Sequence, residues 1–72
     1  MDIVKLINDL ADKEIFIYIL PDLYLLGLPV SWTARLVFKD KGEWVDIDCG
    51  MYEKWEAAFQ SCLETILDNN LN

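Results

Sequence analysis

The sequence predicts an α+β domain: an N-terminal helix, an antiparallel β-hairpin with room for a third strand, and a C-terminal amphipathic helix packed on the sheet. Two patterns carry that prediction. Pairing residues whose numbers sum to 83 sets Phe38 opposite Val45, Leu36 opposite Ile47 and Ala34 opposite Cys49, an apolar face with period two. Downstream, Tyr52, Trp55, Phe59, Cys62, Leu63 and Ile66 recur on one side of a helix. Seventy-two residues allow one domain, residues 1–72.

In chain order, Asp2 is placed to cap a first helix over residues 2–12, in which Ile3, Leu6, Ile7 and Leu10 share a face. Residues 15–20 are rich in β-branched and aromatic side chains and read as a buried strand, with an apolar helical turn as the competing reading. Pro21-Asp22 opens a turn or a short helix through Leu26, and Gly27-Leu28-Pro29 reads as a loop. The hairpin follows, with Lys41-Gly42 at its tip. Its second face sets Lys39 opposite Trp44, Val37 opposite Asp46 and Arg35 opposite Asp48. After a turn at Cys49-Gly50 a helix is expected over residues 51–68, terminated near Asn69 and Asn70.

Charge is distributed unevenly. The chain carries a net charge of −7, and from Glu43 onward seven carboxylates face a single cation, Lys54. On the expected C-terminal helix Glu53, Glu56, Glu64 and Asp68 form a stripe opposite the apolar one, which Asp46 and Asp48 would extend. Four carboxylates over about 22 Å amount to about half the charge density of one DNA strand. An ordinary solvated face that keeps a hydrophobic protein soluble is the plainer reading.

The same composition argues against several functions. Six cations against thirteen acids disfavour direct nucleic-acid binding. With no histidine, no glycine-rich phosphate loop and no nucleophile elbow, the expected protein is not an enzyme. Two cysteines without histidine do not complete a zinc site, and Asp46-Ile47-Asp48 lacks the glycine and glutamate positions of a calcium loop, so neither a metal nor a cofactor is expected. Cys49 and Cys62 are read as reduced thiols, Cys62 in the core, with a disulfide between them as the alternative. No apolar run approaches the ~20 residues of a membrane span and no secretory leader is evident, which points to the cytoplasm, the host's if the chain is phage-encoded.

At 54% hydrophobic, with nine aromatic residues, the chain holds more apolar material than a monomer of this size can hide. A partner or a second copy should cover the excess. Tyr24, Leu25 and Leu26, beside Gly27, are candidates for the seam of a homodimer. Trp44, among Asp46 and Asp48, is the candidate anchor for another protein, with a cation–π pair to Lys39 as the alternative role.

The stretch from Ser31-Trp32-Thr33-Ala34-Arg35-Leu36 through Gly42-Glu43-Trp44-Val45 to Ala57-Ala58-Phe59-Gln60-Ser61-Cys62-Leu63 resembles small phage proteins that pair a tryptophan-bearing hairpin with an alanine- and cysteine-containing helix. In size, acidity and lack of catalytic residues the chain is similar to phage-encoded inhibitors of host defence of the anti-CRISPR and anti-restriction type. That likeness implies inhibition by occupying a surface. The expected function is therefore a protein-binding inhibitor of a host nucleic-acid-handling or defence protein, acting through Trp44, Asp46, Asp48, Glu53, Glu56 and Glu64. A self-assembling structural module, with its acids serving solubility, is the alternative.

Overall fold

The structure, a computed structural model, describes residues 2–71, and of Leu23 the backbone alone. Five elements follow one another: α1 (Ile3–Asp12), β1 (Ile15–Leu25), β2 (Leu28–Asp40), β3 (Glu43–Tyr52) and α2 (Trp55–Asp68). The strands form one antiparallel sheet in the order β1-β2-β3. The expected α+β class is the one observed. Asp2 caps α1, its carboxylate accepting from the Lys5 amide at 3.1 Å.

Both helices lie on one face of the sheet. Period-two alternation sends Ile15, Ile17 and Ile19 of β1, Ala34, Leu36 and Phe38 of β2, and Val45 and Ile47 of β3 to that face. Leu10 of α1 and Ile66 of α2 close on Ile15, Leu36 and Phe38. Beside this cluster Ala34, Ala58 and Cys62 are fully buried, and their small side chains let α2 approach the sheet.

The expected register holds from Lys39↔Trp44 through Arg35↔Asp48 and then shifts by one residue, so that Ala34 pairs with Gly50 and not with Cys49. A β-bulge therefore replaces the expected turn at Cys49-Gly50. Gly50 takes φ +104°, and the strand runs on to Tyr52, opposite Trp32. The helix accordingly begins at Trp55, four residues later than expected. Tyr52 reaches the core from β3, and Glu53 lies in the connection to α2.

The second correction concerns residues 21–29. Neither a short helix nor a loop forms there, because β1 continues through Leu25 and turns at Leu26-Gly27 into β2. Both turn residues have positive φ, 52° and 80°, as do Lys41 and Gly42 at 51° and 83°. These are the backbone angles of a two-residue turn whose twist matches that of its strands. Pro21 is tolerated because β1 is an edge strand, and Pro29 because it lies in β2 beyond the end of β3, which stops opposite Trp32. Residues 22–30 thus extend past β3 as a two-stranded arm on a molecule 43 × 26 × 18 Å across.

Candidate interaction surface

The face of the sheet turned away from the helices is open, and the same alternation that fills the core populates it. Phe16, Tyr18 and Leu20 of β1 stand beside Val37, Arg35 and Thr33 of β2, which in turn stand beside Asp46, Asp48 and Met51 of β3. Phe16, Tyr18, Val37 and Trp44 line a shallow depression of about 310 Å³.

Trp44 forms one wall of it. Its ring lies 5.9 Å from that of Phe16, tilted by 48°, and the Lys39 ammonium sits 5.6 Å from its centroid. Both contacts leave Trp44 56% exposed, so the cation–π pair is present and yet does not cover the indole. Arg35 grips Asp46 through two parallel contacts, Nε to Oδ1 at 3.1 Å and Nη2 to Oδ2 at 3.0 Å. The hydrogen bond and then the charge of Asp46 push the Arg35 pKa above its ordinary value. Asp48 turns one carboxylate oxygen to the Gly50 amide at 2.9 Å, tying this face to the bulge.

The six residues expected to bind a partner do not form one surface. Trp44, Asp46 and Asp48 are neighbours on the open face. Glu56 and Glu64 are exposed on α2, which covers the opposite face, and Glu53 is exposed in the connection preceding it. The acidic stripe is therefore split: Asp46 and Asp48 do not extend the row on the helix, and Glu53 is not part of the helix. Phe16 is not a candidate from sequence, Tyr18 is an ambiguous one and Val37 is placed only by the hairpin register, although the alternation of Phe16, Tyr18 and Leu20 marks one face of a strand. Tyr24, Leu25 and Leu26 lie at the end of the arm, exposed and away from the depression.

Cys49 and Cys62 are free thiols. Burial, and then the neighbouring Cys49, pushes the Cys62 thiol up to about 12. Among the described residues no three His, Cys, Asp or Glu side chains converge as a metal-ligand set would. Nor, among the described residues, is any helix long and apolar enough to cross a membrane. No protein-family model matches the chain, and no match was found among curated proteins or solved structures.

Proposed function

We propose that this chain is a non-enzymatic protein-binding inhibitor that docks its target on the open face of the sheet, with Trp44 as anchor. The exposed indole beside a depression lined by Phe16, Tyr18 and Val37 carries this reading. An aromatic residue next to an apolar hollow is the arrangement from which interface hot spots are built. Asp46 and Asp48 flank it and give the rim a negative sign, which suits a target whose surface mixes apolar and basic groups. Surfaces that handle nucleic acids have that basic character, and covering one would block it. The acids of α2 steer from the far side and need not touch the target.

The test compares tagged wild-type chain with Trp44→Ala in capture from nuclease-treated bacterial lysate at low salt, read by mass spectrometry. A nucleic-acid-binding protein retained by the wild type and lost with Trp44→Ala is the expected result. An identical bound set for both chains would remove Trp44, and with it the open face, from the function.

A further inference from the structure

The arm of residues 22–30 and the strand end that leads into it expose Leu20, Tyr24, Leu25, Leu26, Leu28 and Val30, with Leu26 at 95%. We infer that this arm is the contact surface for a second copy of the same chain, forming a two-fold dimer.

Three observations select that occupant. The first is exposure: Leu25 and Leu28, cross-strand partners, and Leu26 at the tip between them are 64%, 68% and 95% exposed, an apolar patch at the end of the ribbon that a second copy would cover. The second is charge. The chain carries −7, yet from Leu20 to Ala34 its single charged side chain is Asp22, so two copies meet there with the least repulsion. A neutral apolar surface is also its own complement, as a two-fold contact requires. The third is the backbone. Pro21 and Pro29 lack amide donors, and register shifts between Pro21 and Tyr24 interrupt the ladder. Strand addition along the ribbon edge is therefore disfavoured, and the contact closes through side chains as a dimer instead of running on as a fibre. A bilayer is a poorer occupant, because the stretch supplies no lysine or arginine for headgroups and the rest of the chain is acidic.

This inference is independent of target docking, which uses the opposite end of β1 and β2. Sedimentation of the full chain across about a hundredfold range of concentration tests it. The wild type should reach dimer mass, and added salt should tighten the dimer by screening repulsion between the two acidic copies. Leu26→Asp should weaken it by about tenfold or more. The backbone at residue 26, with φ 52°, suits aspartate better than leucine, so the substitution does not oppose folding. Leu26→Asn, which removes the apolar contact without adding charge, should act in the same direction, and far-UV circular dichroism checks that both variants stay folded. Trp44→Ala should leave the dimer intact. A wild-type monomer throughout the range, or a dimer indifferent to both Leu26 substitutions, would overturn the proposal. So would a monomer that co-sediments with phosphatidylcholine vesicles.

Discussion

The Tyr52 hydroxyl donates to Ser61 Oγ at 2.8 Å, and Ser61 in turn donates to the Cys49 carbonyl at 2.9 Å, so a three-member chain ties the β3 bulge to α2. Both hydroxyls lie within hydrogen-bond reach of the Cys49 carbonyl, next to the point where the bulge shifts the ladder. Tyr52→Phe should cost about 1 kcal/mol of unfolding free energy in urea, the usual net worth of one such bond. Ser61→Ala should cost less, because the Tyr52 hydroxyl lies 3.0 Å from the same carbonyl and can take over. Equal losses for the two variants would mean that the network does not bridge as described.

Gly50 sits within this network under two constraints. Its φ of +104° lies where side chains are strained, and a Cβ there would stand 3.2 Å from the Tyr52 hydroxyl oxygen and 3.3 Å from its ring. Gly50→Ala should therefore destabilise the fold by about 1–3 kcal/mol. The near-UV circular dichroism of Tyr52 should change with it, since the ring must move to admit the methyl group.

The hairpin register could be read from Leu36, Phe38, Val45 and Ile47 because an alternate pairing would set Leu36 against Asp46. That logic stops at Gly50. A glycine before a helical pattern signals a turn as well as it signals a bulge, and the choice depends on Tyr52 reaching back to Cys49 and Ser61, a tertiary contact with no local signature. The arm was hidden for a different reason. Pro21 and Pro29 argue against a central strand, and the argument fails because Pro21 lies in the edge strand β1 and Pro29 in the part of β2 that β3 does not reach. Leucine is also an unusual occupant of the positive-φ position at residue 26, so Leu26-Gly27 does not resemble the Asn-Gly of a tight hairpin. On the candidate surface, Trp44 stood out as an aromatic residue among acids. The split between Asp46 and Glu56 did not, because two carboxylates ten residues apart carry no mark of which side of a sheet each faces.

Cys62 gives the fold an alkaline limit. Its thiol is held neutral up to about pH 12 when folded, against an ordinary value of 9.0. Between those values the unfolded chain releases a proton that the folded chain retains, so stability falls as pH rises, by up to about 1.4 kcal/mol per pH unit. Below pH 9 this group contributes no slope. Cys62→Ala should lower stability by about 1 kcal/mol at neutral pH and should flatten the alkaline part of the profile relative to wild type. Parallel alkaline slopes for the two chains would show that other groups set the limit. A thiol reagent at pH 8 should modify the half-buried Cys49 faster than the fully buried Cys62.

The division of the acids between two faces makes separate predictions for association with a target captured through Trp44. Asp46 and Asp48 border the docking face, whereas Glu53, Glu56 and Glu64 lie on α2 or the connection leading to it. Neutralising the three glutamates to glutamine should slow association by about two- to threefold at low salt and reduce its salt dependence, while dissociation stays unchanged, the mark of steering at a distance. Asp46→Asn with Asp48→Asn should slow association and also speed dissociation, since these carboxylates lie within the contact. Stopped-flow association at two ionic strengths separates the two effects. If the glutamate variant is the one that dissociates faster, the target sits on α2 and not on the open sheet, and Trp44 loses its role as anchor.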